Sequence, residues 1–258
     1  MARPKGQTNR VLTHFLCIPL VTPASKLQLQ TSLEAWKTAI DDQQRETENS
    51  QLVPLPPGYA KAIRPVGALH LTLGVMSLGP EELSAAIDLL HGLDVQSLLQ
   101  AAAEQPVSTE RACHVSSDPL VVDLKGLASM HAPHRTSILY IAPSDHSDRL
   151  YSICSSLRSI FQHTGFLVKE NRKLKLHATI FNTIYAKKTV RSRRDPNVKA
   201  PLRVDATDIL RTYKNYVWAN DVVLDRIAIC EMGTKKVLDD RGNVKSEEYT
   251  EVASISLS

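Results

Sequence analysis

Two apolar stretches of this 258-residue chain carry the same small pattern, and that pattern limits what the chain can fold into. The first, Ala68 to Met76, contains Leu69-His70-Leu71-Thr72-Leu73. The second, Leu174 to Tyr185, contains Leu176-His177-Ala178-Thr179-Ile180. Polar residues spaced by two inside an aliphatic run read as a strand, since side chains alternate between its faces. His70 and Thr72 then share one face, and His177 and Thr179 share another. Leu71 and Ala178 point the opposite way, into a core. A third His-x-Thr, His134-Arg135-Thr136, follows Pro133 and lacks aliphatic flanks, so it reads as the mouth of a strand.

The pair sits inside a larger echo. Val11 to Pro19 reads as a buried strand. Pro23 to Asp42 reads as an amphipathic helix with Leu27, Leu29, Leu33, Trp36 and Ile40 on its apolar side. The strand 68–76 follows a proline-rich loop. Strand, helix, strand then recurs as 136–143, 145–163 and 174–185. A helix opens at Pro80-Glu81-Glu82, with proline and acids in its favoured first turn. A strand is expected over 120–130 and a short helix over 206–213, while 104–118 is irregular. Strands over 222–232 and 249–257 are expected to form a hairpin around the turn Asp239-Asp240-Arg241-Gly242-Asn243. The fold class is α+β: residues 1–10 flexible, then one bilobal domain over 11–258.

Composition excludes several classes. No run approaches 18 uninterrupted apolar residues, so no membrane span is expected. The start, Met1-Ala2-Arg3-Pro4-Lys5-Gly6, lacks the apolar core of a signal peptide. Cys17, Cys113, Cys154 and Cys230 lie far apart with no Cys-x-x-Cys pair, which argues against a zinc site or disulfide framework and suits a reducing compartment. The net charge of +4 is mild. More than all of it sits in residues 187–203, where Lys187, Lys188, Arg191, Arg193, Arg194, Lys199 and Arg203 stand with one acid, Asp195, so the remainder of the chain is slightly acidic. This basic loop starts just after the second motif. It reads as a solvated insert, a phosphate-steering loop or a localisation signal.

Two imidazoles and two hydroxyls suit phosphoester cleavage. A neutral His takes a proton from the nucleophile, and a protonated His gives one to the leaving oxygen. An ordinary imidazole pKa near 6.5 lets both forms exist around neutrality. Each Thr hydroxyl can donate to a non-bridging oxygen where charge builds. One imidazole per motif and no neighbouring carboxylate make a poor metal site, so no cofactor is expected.

With its two flanked motifs, one per lobe, the chain resembles the 2H phosphoesterases. That superfamily includes RNA cyclic phosphodiesterases once called 2′-5′ RNA ligases. The likeness is nearest to the A-kinase anchoring protein nuclear-ligand-type phosphoesterase domain and the related domain of activating signal cointegrator 1 complex subunit 1. It runs from Thr13-His14-Phe15-Leu16-Cys17-Ile18-Pro19 through both motifs to Ala253-Ser254-Ile255. The resemblance implies the LigT-like fold, two pseudo-symmetric lobes with a central groove, and catalytic roles for His70, Thr72, His177 and Thr179. It leaves open which His is base and which acid. No amphipathic helix follows the last strand, so docking of a kinase regulatory subunit is not implied.

Strand parity adds Phe181 and Tyr185 as groove residues able to stack on a base, or else as packing beneath a loop. It also adds Gly74, whose missing side chain leaves room for substrate or marks a bulge. His14 reads as structural. The leading expectation is a metal-independent phosphodiesterase acting on RNA ends or oligonucleotides, through a 2′,3′-cyclic phosphate or a 2′-5′ linkage. The alternative is a non-catalytic nucleotide- or RNA-binding subunit of a nuclear transcription or RNA-processing complex, and a protein scaffold is a weaker third. The expected partners are RNA or a nucleotide phosphate, with no membrane, in the nucleus or cytoplasm.

Overall fold

The computed structural model describes residues 11–47, 59–104, 118–170, 172–186, 189–191 and 199–257. In chain order the first elements are β1 (His14–Pro19), α1 (Lys26–Thr47), β2 (His70–Met76), α2 (Pro80–His91), α3 (Val95–Ala103), β3 (Val121–Ser129), β4 (Ile138–Asp145), α4 (Leu150–His163) and β5 (Ala178–Asn182). Then come β6 (Thr189–Arg191), β7 (Lys199–Pro201), α5 (Thr207–Thr212), β8 (Val217–Val223), β9 (Arg226–Glu231), β10 (Lys235–Leu238), β11 (Val244–Glu248) and β12 (Glu251–Ser256).

Eight strands make one curled sheet in the order β12-β9-β1-β2-β5-β4-β3-β8. Every neighbouring pair is antiparallel. The order is symmetric about the seam between β2 and β5. Four strands lie on each side, and each side contains a strand-helix-strand unit, β1-α1-β2 or β4-α4-β5. The two echoing units of the sequence are these halves, and the bilobal α+β architecture follows from them.

The helices bury the faces their periodicity dictates. Leu29, Leu33, Trp36 and Ile40 of α1 are buried, and Trp36 meets Trp218 of β8 edge-on at 5.5 Å. Leu27, expected on the same face, is exposed. The α2 start is held by the Glu82 carboxylate, which accepts the Gly79 N–H at 2.8 Å. Asp94 caps α3 through the Ser97 N–H. In α4, Leu150, Ile153, Cys154, Leu157 and Phe161 are buried. These side chains join Leu71, Leu73, Ala178 and Ile180 in one core that crosses the seam.

The C-terminal third departs from expectation. The apolar run 222–232 is divided between two strands, since β8 ends at Val223 and β9 begins at Arg226. β8 then borders β3, while β9 crosses to the other half beside β1. The turn at 239–243 closes a separate hairpin, β10-β11, inserted between β9 and β12. β9 and β12 are nevertheless antiparallel neighbours.

Of the basic stretch 187–203, residues 187–188 and 192–198 lie outside the described residues, as do residues 1–10 and Cys113. The described cysteines, Cys17, Cys154 and Cys230, are buried free thiols. No helix among the described residues is long and apolar enough to cross a membrane.

Candidate active site

The seam brings the two motifs together. Leu71 of β2 pairs with Ala178 of β5 in antiparallel register. One residue further each way, the register sets His70 opposite Thr179 and Thr72 opposite His177. The two histidines lie on the diagonal of this square, with backbones roughly 7–8 Å apart. Leu71 and Ala178 themselves are fully buried on the core face.

Both imidazoles are held the same way. The Nδ1–H of His70 donates to the Ala68 carbonyl at 2.8 Å, and that of His177 donates to the Lys175 carbonyl at 2.7 Å. A carbonyl only accepts, so each neutral ring keeps its lone pair on Nε2. His70 Nε2 accepts the Thr72 hydroxyl at 2.9 Å. The His70 ring is also walled by Phe15 at 4.8 Å and Tyr249 at 5.1 Å. The His177 ring meets Tyr140 edge-on at 5.5 Å.

Electrostatics differ between the two. Burial pushes His70 down to about 4, with Arg64 and His177 pushing the same way against the Ala68 hydrogen bond. Burial also lowers His177, aided by Lys175 and Arg172 and opposed by the Lys175 carbonyl. His70, Thr72 and Thr179 open onto a cavity of about 180 Å³, which Arg64, Tyr185 and Tyr249 also line. Thr72 and His177 open onto another of about 250 Å³, rimmed by Arg172 and Lys175.

A family model described as the AKAP7 2′5′ RNA ligase-like domain matches residues 12–241. The chain belongs to that family. It is thereby a member of the 2H phosphoesterase superfamily, whose relationship supports phosphodiesterase-type chemistry in general. It is 26% identical over 196 residues to mouse (Mus musculus) activating signal cointegrator 1 complex subunit 1, covering 69% of this chain and 49% of that protein. The match thus spans about half the length of that relative. An uncharacterised protein of Schizosaccharomyces pombe is 23% identical over 240 residues, covering 92% of this chain and 94% of its own. Among solved structures, E. coli LigT complexed with 3′-AMP aligns with a TM-score of 0.46 at 15% identity, over 96% of this chain and 98% of that one.

Within this 2H phosphoesterase, two parity-based expectations need correction. Phe181 is fully buried in the core, so its ring cannot stack on a base in the groove. The missing side chain of Gly74 makes room for Leu167, while the residue itself lines the cavity onto which Thr72 and His177 open. A Cβ there would sit 2.7 Å from Leu167 Cδ1, and Leu167 is itself core. Both errors have one cause. The β1–β2 register slips between Leu16 and Cys17, which pair with Gly74 and Thr72. The β4–β5 register slips between Leu139 and Tyr140, which pair with Phe181 and Thr179. Each motif is thus followed by a bulge at Leu73 or Ile180, and parity reverses beyond it. The reversal delivers Val75 and Asn182 to the small cavity instead.

Tyr185 reaches that cavity, though not on a strand. β5 ends at Asn182, and Tyr185 sits on a 3-10 turn over Thr183–Ala186. His14 is buried, with Nδ1 at 2.9 Å from the Thr13 hydroxyl, as a structural residue. Thr136 of the third motif is also structural, donating to the Ile138 carbonyl at 3.1 Å. Arg64, Tyr249, Phe15 and Tyr140 escaped sequence reasoning. Phe15 and Tyr140 lie in expected strands, but no local pattern ties them to the motifs. Arg64 sits in a proline-rich stretch with no periodicity.

Proposed function

We propose that this protein is a metal-independent phosphodiesterase acting on RNA ends or oligonucleotides, opening a 2′,3′-cyclic phosphate or cleaving a 2′-5′ linkage. The observation that carries the reading is the Leu71–Ala178 register, which stands each motif's histidine across from the other motif's threonine. A phosphate in that square has an imidazole diagonal on each side and a hydroxyl beside each imidazole.

For a cyclic phosphate the chemistry balances without a cofactor. His70 Nε2 takes a proton from water as the water oxygen bonds to phosphorus. The bond from phosphorus to the 2′ or 3′ oxygen breaks, and the imidazolium of His177 protonates that oxygen. The stronger downward shift of His70 suits it to the base role, and His177 is the easier ring to keep protonated. The substrate's negative charge raises both imidazoles as it enters, offsetting Arg64, Arg172 and Lys175. Thr72 swings its hydroxyl from His70 Nε2 to a non-bridging oxygen, which frees the lone pair for catalysis.

The test is turnover of cyclic-phosphate-ended and 2′-5′-linked oligonucleotides in EDTA. Wild type should convert at least one, and His70→Ala and His177→Ala should each lose about 10²–10⁴-fold. Equal rates in wild type and both variants would sink the reading. The second reading, a nucleotide-binding subunit of a nuclear or cytoplasmic complex, draws on the similarity to a cointegrator complex subunit. Saturable binding of AMP or a short RNA with no product would favour it.

A further inference from the structure

Arg64 is a buried cation without a buried counter-charge. It is 6% exposed, and among the described residues no carboxylate lies within ion-pair distance. Its backbone N–H is locked to the Ile180 carbonyl at 2.8 Å, and Ile63 bridges to Phe181, so the residue hangs from the strand that bears the second motif. Its guanidinium lies 3.8 Å over the Tyr185 ring, and Nη2 donates to the Tyr249 hydroxyl at 3.4 Å. Holding a desolvated guanidinium this way is costly unless an anion completes it.

The Arg64–Tyr185 pair is a shared wall. On one side is the histidine cavity of about 180 Å³, lined by His70, Thr72 and Thr179 with no carboxylate; His177 lines the adjoining cavity across Thr72. That volume is below the roughly 300 Å³ at which ligand pockets begin, so it takes a phosphate and not a whole nucleotide. On the other side is a cavity of about 650 Å³ bearing Lys37, Lys61 and Lys236 against Glu34 and Glu247. With Arg64 its cations outnumber its carboxylates by two. Tyr185 is 42% exposed, so the ring face away from Arg64 is open. The competing cavity behind His70, about 470 Å³, suits phosphate less well. Its Arg226 is already bound by Asp225 and Glu251, and Glu248 adds a further negative charge.

We infer that Arg64 and Tyr185 form a passage along which an oligonucleotide strand leaves the histidine cavity for the Lys37–Lys61–Lys236 cavity. Arg64 holds the phosphate next to the scissile one, Tyr185 stacks the intervening base, and the lysines take the following backbone. The substrate class is therefore an oligonucleotide at least two phosphates beyond the reacting end, not a mononucleotide. The choice of nucleic acid rests on the phosphodiesterase reading above.

The experiment compares a cyclic-phosphate-ended dinucleotide with a hexanucleotide of the same end, in wild type and Lys61→Ala/Lys236→Ala. Wild type should show a KM at least about fivefold lower for the hexanucleotide. The double variant should lose that preference and keep dinucleotide turnover. Its binding of a 3′-phosphorylated hexanucleotide should depend less on salt, with the log–log slope shallower by about 1.4. Turnover with no length preference in wild type, or a preference that survives in the variant, overturns the passage while leaving the phosphodiesterase reading intact. If wild type turns over neither substrate, the phosphodiesterase reading fails. The salt slope then decides the passage by itself, and equal slopes overturn it.

Discussion

Gly74 and Phe181 occupy equivalent places in the two halves of the sheet. Each is the second residue after its motif's threonine, and each is turned into the core by a bulge at the residue between. The bulges interrupt the alternation of each central strand just beyond the threonine, so the four motif residues form a short polar square, and Val75 and Asn182 replace Gly74 and Phe181 on the cavity side.

The Phe181 and Tyr185 rings should separate stability from binding. Phe181→Ala empties a fully buried site and should cost about 3–5 kcal/mol in urea unfolding. Tyr185→Ala, at a half-exposed position, should cost less, about 1–2 kcal/mol from the lost contact with the buried Arg64 guanidinium, and weaken oligonucleotide binding. A stable Phe181→Ala protein with lost binding would contradict the assignment of that ring to the core.

Gly74→Ala should destabilise by about 1–3 kcal/mol, since its new methyl group meets two Leu167 methyl groups at 2.7 and 2.9 Å. Leu167→Ala alone should cost about 2–5 kcal/mol. In the double variant the clash is gone, so the combined loss should fall short of the sum by about 1 kcal/mol or more. Strict additivity in a double-mutant cycle would mean that the two residues do not share this space.

Acid should weaken the fold through His70. Its folded pKa of about 4 lies below the ordinary 6.5, so between those values the unfolded chain binds more protons than the native one. Stability is therefore full above about pH 6.5 and falls as pH drops toward 4. His177 shifts in the same direction and adds to the slope. His70→Gln should flatten the curve of unfolding free energy against pH in this window. An unchanged slope would show that His70 is not held neutral.

Thr72→Val should act on kcat more than on KM. It removes the hydroxyl that now donates to His70 Nε2 at 2.9 Å and that is proposed to meet the non-bridging oxygen. A kcat loss of about 10-fold or more is expected. A change confined to KM would place Thr72 in ground-state binding alone.

The site was legible in the sequence as far as strict alternation held. His70, Thr72, His177 and Thr179 stand where their two-residue spacing puts them, within a strand or at its threshold. Gly74 and Phe181 were misplaced because a bulge leaves no mark in an unbroken apolar run such as Leu73-Gly74-Val75 or Ile180-Phe181. The strand Val217–Val223 was missed because Asn220-Asp221 interrupts its apolar pattern, while Val222-Val223-Leu224 runs on toward Ile227. The turn at 239–243 was found, but a local turn signal cannot say which strands it joins. Arg64 and Tyr249 meet only in three dimensions, 185 residues apart, and no local pattern announces them.

The order of strands along the chain also sets the order in which the two halves can be built. β3, β4, β5 and β8, which surround His177, are all synthesised before residue 224. β1 and β2 emerge first of all, yet their outer neighbours, β9 and β12, come last. A growing chain can therefore close the His177 half while the His70 half still waits for its edge. Tyr249 and Arg226 arrive only with those strands, so the His70 half of the sheet is completed after the His177 half. Ribosome-bound chains that stop before β12 should carry an assembled second half and an incomplete first one.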